Sequence, residues 1–382
     1  MKTTQPKGLR TWIEIDTKAV QHNYKLFRSL IHKNTKLMGV VKSNAYGHSH
    51  IDFAKTLQKL DVDFLAVDSI VEGLSLRKNG IRTPLLVLGH TLHERIQEAS
   101  KNNIAIAVSS ESQLIELKKK RFTPPLRIHI KIDTGLHRQG FTERDLGVIS
   151  DFLLWNKEAK RVVIEGIFTH FAQAKDPSSI QYTGMQLKEF ARWIDVFHEL
   201  GYKPIIHAAA TGGTIVFPES HFDMVRIGIG MYGIWPDSAT KKYFKKTINL
   251  KPVLSWKTVI SEIKELPRGS RIGYDSTEHL KQDGVVAVCP VGYWHGFPRA
   301  LSSKGYVLVN GKRAKILGRV SMDMISIEIT GIRNVSIGSV VTLIGKDGKD
   351  ELFAEDIAHS MHASAYELLT RLNPLIKRIY VP

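Results

Sequence analysis

A lysine at the end of an apolar run is the residue type that carbonyl chemistry uses. In Leu37-Met-Gly-Val-Val-Lys42-Ser-Asn-Ala-Tyr46-Gly-His48 the apolar run stops on Lys42 and breaks into a polar, glycine-containing turn. Burial disfavours the ammonium form, and a desolvated amine is a nucleophile or base near neutral pH, as a Schiff base to an aldehyde requires. More polar groups sit at the ends of later apolar runs: Asp133 with Arg138, His170, Thr211, and Arg226 inside Met224-Val-Arg-Ile-Gly-Ile229. Arginine keeps its charge, so one inside an apolar run demands partners. Gly228-Ile-Gly-Met-Tyr-Gly233 has G-x-G-x-x-G spacing, but Ile234-Trp-Pro-Asp follows where a dinucleotide site needs a helix. Its backbone N–H groups, like those at Gly212-Gly213, still suit a phosphate. Singly, each residue has a structural explanation: Lys42 can snorkel and His170 can be a hydrogen-bonded core histidine. Their convergence at one rim is what favours chemistry.

The elements that must position these groups alternate. Apolar runs at Leu37–Lys42, Phe64–Asp68, Leu85–Gly89, Ile104–Ser109, Ile128–Asp133, Ile164–His170, Ile205–Ala210 and Met224–Ile229 are rich in Val and Ile. Continuous runs suit strands covered on both faces. Between them lie amphipathic helical patterns such as Lys18–His32, Ser112–Lys120 and Gln186–Leu200. Repeated strand–helix units imply a parallel sheet, and this number of units matches a (β/α)8 TIM barrel, with an open doubly wound sheet as the alternative. Every polar group above then falls at the C-terminal rim, where barrel active sites lie. Past Tyr243 strand-like runs crowd together, joined by short links such as Asn310-Gly311, and read as a mostly antiparallel β-domain. The expected division is a barrel over residues 17–243 and a β-domain over 244–382, joined by an N-terminal strand within 1–16.

The chain has 382 residues, 43% hydrophobic and 24% charged, enough for a sizeable core. Its net charge is +17, from 54 Lys+Arg against 37 Asp+Glu. The densest basic run, Lys118–Arg121, ends a helical pattern, where cations complement the helix dipole. No zinc-finger spacing or aromatic–basic interleaving accompanies it, so nucleic acid is not an expected partner. Cys289 is the lone cysteine, Met1–Arg10 lacks an apolar core, and no run reaches membrane-spanning length, which reads as cytoplasmic. His48 and His50 have no carboxylate or cysteine set at ligand spacing, so no metal is expected.

The segments Val41–His48, Lys131-Ile-Asp-Thr-Gly-Leu-His-Arg138, Thr169-His-Phe171, Met224–Ile229, Ile272-Gly-Tyr274, Gly292-Tyr293 and Ser321-Met-Asp323 together resemble the alanine racemases, in order and over nearly the whole chain. The resemblance implies a pyridoxal 5′-phosphate enzyme that interconverts L- and D-alanine, supplies D-alanine for peptidoglycan and works as a homodimer with shared sites. Lys42 would hold the cofactor and act as one base, and Tyr274 of the partner subunit as the other. Arg226 would face the pyridine nitrogen, His170 would support it, and Tyr46, Thr211, Gly228 and Ile229 would hold the phosphate. Arg138, Met322 and Tyr293 would contact the amino-acid substrate, and Lys131 matches a position that can be carbamylated. Two bases on opposite faces are what inversion of an α-carbon needs. An unassisted tyrosine, with a reference pKa of about 10, is a weak base and needs cations nearby.

This chain departs from the family pattern at Ser43, Ser49, His137, Gln139, Ala210, Asp275, Trp294, His295 and Pro374–Arg378. Positions 275, 294 and 295 neighbour the expected substrate access, which leaves a serine or broad-specificity racemase as the alternative. A basic amino-acid decarboxylase would place an acid at the ring nitrogen, against Arg226. A single-barrel cofactor carrier would lack the β-domain.

Overall fold

The computed structural model describes residues 5–382. Two compact units are present: residues up to 20 with 46–49 and 251–382, and residues 21–45 with 50–250. Strand β1 (Thr11–Asp16) opens the chain within the first of these.

The larger unit holds eight parallel strands: β2 (Lys36–Val40), β3 (Phe64–Val67), β4 (Leu85–Val87), β5 (Ala105–Val108), β6 (Leu126–Lys131), β7 (Val162–Phe168), β8 (Ile205–His207) and β9 (Met224–Ile227). They follow the eight expected runs. Neighbours pair in chain order from β2 to β8, and β9 returns to β2 with Met38 opposite Arg226. The ring closes between β8 and β9 through an Ala210–Arg226 bridge and the bond from Arg226 N–H to the Ala209 carbonyl, 2.9 Å. The result is the expected TIM-like barrel, near-closed. All four residues of β3, β5 and β9 are buried, as expected for strands covered on both faces. The crossover helix Ile70–Lys78 starts with a capping box in which Ser69 and Glu72 satisfy each other's backbone N–H groups.

The smaller unit is a mostly antiparallel sheet. Its strands are β10 (Leu254–Val259), β11 (Glu262–Leu266), β12 (Arg271–Ile272), β13 (Glu278–His279), β14 (Gly284–Cys289), β15 (Tyr306–Val309), β16 (Lys312–Leu317), β17 (Ile325–Glu328), β18 (Val340–Asp347), β19 (Asp350–Leu352) and β20 (Lys377–Val381). The order is β11-β14-β17-β16-β15-β18-β10-β1-β20. Asn310-Gly311 turns the β15–β16 hairpin with φ of 49° and 73°, the left-handed pair that a tight hairpin needs. The apolar run Val253–Ile263 is two strands rather than one, because β10 pairs with β1 and β18 whereas β11 pairs with β14. Strand β20 pairs parallel to β1 and had no signal in the sequence.

Residues 46–49 group with the smaller unit for a local reason. Arg378 Nε donates to the Gly47 carbonyl at 3.0 Å and Tyr380 Oη to the His48 carbonyl at 2.8 Å. Gly47 has φ of 87°, and a Cβ there would lie 2.2 Å from the Leu369 carbonyl oxygen. Only glycine tolerates both.

Glu14 and Lys257 lie diagonally across β1 and β10. Lys257 Nζ donates to Glu14 Oε2 at 2.6 Å, and Trp12 Nε1 to Glu14 Oε1 at 2.9 Å. The lysine side chain is only 7% exposed. Glu14→Leu therefore strands a buried ammonium and an indole N–H and is expected to destabilise by about 3 kcal/mol in denaturant unfolding. Adding Lys257→Met should recover most of that loss. Additive losses in the double variant would contradict the pairing.

Candidate functional site

The turn after β2 is unusual in its backbone. Ser43, Asn44, Ala45 and Tyr46 have φ of 53°, 56°, 51° and 52°, a left-handed turn built without glycine. Each such residue costs roughly 1–2 kcal/mol, so the turn needs external anchors. Ser43 N–H donates to Glu72 Oε1 at 2.7 Å, Ala45 N–H to the Val41 carbonyl at 3.0 Å, and His50 N–H to Asn44 Oδ1 at 3.1 Å. Lys42 enters this turn with its side chain 37% exposed and its Nζ 2.9 Å from Asp68 Oδ1. The expectation of a buried Lys42 at a strand end is thus corrected: the strand ends before it, and the amine is partly exposed beside a carboxylate.

Arg226 on β9 is the buried cation of the barrel. Its Nη1 donates to the His207 carbonyl at 3.1 Å and to His207 Nδ1 at 3.0 Å. Its Nη2 donates to the Thr169 and Ala208 carbonyls, both at 2.8 Å, and to His170 Nδ1 at 3.2 Å. The Nε–H is the donor these five bonds leave over. Burial lowers the guanidinium well below its ordinary value, to about 9, still charged at neutral pH. Because arginine only donates, both histidines must accept on Nδ1 and carry their proton on Nε2. His207 Nε2 therefore donates to His129 Nδ1, 2.9 Å away, and His129 Nε2 to Glu165 Oε2 at 3.0 Å. A polar chain thus runs through the barrel interior from Arg226 to Glu165. Gly166 makes room for it, since a Cβ there would lie 2.2 Å from His129 Nδ1.

Further cations share this rim. Lys131, ending β6, is 5% exposed with its Nζ 5.9 Å from the Phe168 ring centre. Burial lowers its ammonium to about 8, helped by Arg138, Arg226 and Lys42 and opposed by Asp133. His170 is pushed down to about 3, first by burial and then by Arg226, Arg138, Lys131 and Lys42. The loop that carries Arg138 is folded around Asp133, whose oxygens accept from Gly135, His137 and Arg138 N–H at 3.0, 2.9 and 2.8 Å. Burial would raise that carboxyl, but these bonds outweigh it and hold it low. Thr211 Oγ1 accepts from Gly228 N–H at 3.2 Å and Gly230 N–H at 3.3 Å, which ties the helix Thr211–Val216 to the Gly228–Ile229 turn. Lys42, Arg138, His170, Thr211, Arg226, Gly228 and Ile229 therefore all belong to one unit, and Tyr46 to the other.

Tyr274, Tyr293 and Met322 lie on adjoining loops of the smaller unit. Tyr274 sits between β12 and β13, 70% exposed. The next residue, Asp275, has φ of 58° and pairs with Arg319 at 2.5 Å. Aspartate tolerates this left-handed conformation. Tyr293 and Trp294 N–H donate to the Ser321 and Met322 carbonyls, both at 3.0 Å. Tyr293, Trp294, Met322 and Met324 are exposed as well. His295, by contrast, is buried and its Nδ1 accepts from Gly292 N–H at 3.2 Å, a structural role.

Sequence reasoning missed Asp68, Glu72, His129, Glu165 and His207. His129 shares a strand face with Lys131 at i, i+2, and Glu165 interrupts an apolar run, so two polar signals were present. Among the described residues no group of three or more His, Cys, Asp or Glu could hold a metal, and no helix is long and apolar enough to cross a membrane.

Residues 15–236 match the family of alanine racemase N-terminal domains, and residues 253–380 that of alanine racemase C-terminal domains. An alanine racemase of Methanococcus maripaludis is 36% identical over 97% of this chain and 98% of its own. One from Leptospira interrogans is 37% identical over 97% and 96%. The crystal structure of alanine racemase from Bacillus anthracis with bound L-Ala-P superposes with a TM-score of 0.91 at 32% identity, covering 99% of this chain and 96% of that one. The alanine racemase of Clostridium difficile 630 gives 0.91 at 32% identity over 98% and 97%.

Burial and neighbouring cations keep His170 and His207 neutral. Their ring resonances are expected not to titrate between roughly pH 5 and 8, and a titration near the reference value of about 6.5 would contradict the network. The unfolded chain takes up these protons and the folded one does not, so stability is fullest above about 6.5 and lost as pH falls, by about 1.4 kcal/mol per unit for His207.

Proposed function

Because the chain belongs to the alanine racemase family, we propose that it is a pyridoxal 5′-phosphate-dependent racemase that interconverts L- and D-alanine through two bases, Lys42 and Tyr274 of the partner subunit. The observation that carries this reading is Arg226, a buried group with only donors, at the same barrel rim as Lys42.

The residues fit that cofactor by their chemistry. An amine suits its aldehyde, the spare Nε–H of Arg226 suits the ring nitrogen, and Thr211 with the Gly228–Ile229 backbone, together with Tyr46, suits the phosphate. When bound, the cofactor supplies the electron sink for the α-carbon. Lys42 holds it covalently and takes or returns the proton on one face. Tyr274 of the partner subunit does so on the other. Arg226, which can only donate, would leave the ring nitrogen of the bound cofactor unprotonated, a weaker electron sink than an acidic partner would make it. His170 supports Arg226. Arg138 pairs with the substrate carboxylate, and Tyr293 of the partner subunit and Met322 of the partner subunit line the substrate's space. Lys131 would support Arg138 once carbamylated, and its neutral amine is the form that adds carbon dioxide.

The exposed apolar loops around Tyr274, Tyr293 and Met322 support a homodimer, since such groups ordinarily seek cover. Family membership supports the further reading of a cytoplasmic enzyme that makes D-alanine for peptidoglycan. Trp294, exposed beside Tyr293, is the observation that favours the second reading, a serine or broad-specificity racemase.

A panel of L-amino acids, with chirality followed to equilibrium, tests the reaction; alanine should be the best substrate, and no inversion of any member would overturn the reading. Lys42→Ala should lose the visible absorbance of the bound cofactor, and a borohydride-trapped adduct in that variant would refute the role of Lys42. Tyr274→Phe should keep the absorbance and lower racemisation by about 10²–10⁴-fold.

A further inference from the structure

We propose that Asp68 is the counter-ion of Lys42, a positioning residue that keeps the free ammonium of this lysine aimed whenever it is not covalently engaged. This rests on Lys42 being the cofactor-holding lysine.

The groups that face Lys42 make the need plain. Lys131, Arg138 and Arg226 are cations whose fields reach the same rim as that of Lys42, and His170 there is neutral. Asp133 is a carboxylate, but its oxygens are taken by three backbone N–H groups. Among the described residues, Asp68 alone brings a carboxylate oxygen to Nζ, at 2.9 Å. Like charges disfavour an ammonium, and an opposite charge in contact restores it.

The pair is also fixed in place. Glu72 Oε2 accepts from Asp68 N–H at 2.8 Å, while Glu72 Oε1 accepts from Ser43 N–H at 2.7 Å. One carboxylate thus holds the backbone on both sides of the pair. A pair with its members 37% and 54% exposed would ordinarily contribute little, because two long chains must be ordered to form it. Here Asp68 is short and Lys42 leaves a left-handed turn that is already anchored, so less freedom is lost. After the lysine has taken a proton from the α-carbon, Asp68 receives the ammonium, and the proton stays on Nζ until it is returned.

The test reads the lysine directly. In the full-length protein freed of cofactor and reductively methylated with ¹³C-formaldehyde, the Lys42 resonance is the one missing from Lys42→Arg. Its ¹³C relaxation should show the restricted motion of a held side chain, and in Asp68→Asn it should become as mobile as the resonances of exposed surface lysines. Asp68→Glu should restore part of the restriction. The asparagine keeps the backbone N–H bonded to Glu72, so the turn stays anchored. Unchanged relaxation of Lys42 in Asp68→Asn would overturn the proposal and leave the racemase reading standing. The expected loosening with no inversion of any amino acid would do the reverse.

Discussion

The fixed point of this structure is the guanidinium of Arg226, a permanent cation inside a ring of apolar strands. Its five bonds consume the carbonyls of Thr169, His207 and Ala208 and one nitrogen each of His170 and His207. Those acceptors come from the ends of β7 and β8, so the cation stitches the rim at the point where β8 and β9 meet with few ladder bonds of their own. Removing such a group would leave several carbonyls unsatisfied, whereas keeping it obliges every neighbour to accept. The tautomers of His170, His207 and His129 all follow from that one restriction. It ends on Glu165, the first group along the chain able to take a proton bond without passing one on.

The same restriction shapes the electrostatics. Carboxylates are present near the rim, but none stands among the partners of Arg226. Asp133 is spent on backbone amides, Glu165 lies at the far end of the histidine chain, and Asp68 faces Lys42. The rim is therefore a cationic bowl with its negative charge placed at the edges. Such a bowl attracts phosphate and carboxylate together, and it lowers the proton affinity of any amine or phenol that enters.

Much of this was legible in the sequence because strands of a parallel barrel are uniformly apolar. A polar residue inside such a run, as with Arg226, is conspicuous, and rim residues fall at run ends. The surroundings of Lys42 were not legible: its partner Asp68 comes from the next strand end, and periodicity says nothing about which strand ends touch. The lysine buried at this rim is Lys131, at the end of β6. His129 and His207 are 78 residues apart. They meet only because β6 and β8 point side chains into one interior, a consequence of closure rather than of local pattern. Strand β20 was missed for the opposite reason. Lys377-Arg-Ile-Tyr-Val381 is polar at its start and gains its identity from Arg378, which serves residues 47, 372, 373 and 376.

Left-handed backbone was the least legible feature. Ser43–Tyr46, His137 and Asp275 all have positive φ and none is glycine. The sequence cue for such geometry is glycine, asparagine or aspartate, so Asp275 and Asn44 fit and the others do not. In each case a carboxylate lies close by: Glu72 accepts from Ser43, Asp133 accepts from His137, and Asp275 itself reaches Arg319. A charged hydrogen bond contributes on the order of 1.5–3 kcal/mol, comparable to the cost of the conformation. Glycine would adopt these angles freely but would let them go as freely. An L-residue held there by a carboxylate has one geometry, and Lys42, Arg138 and Tyr274 each lie next to such a residue. The left-handed residues therefore fix the direction of the side chain that neighbours each of them.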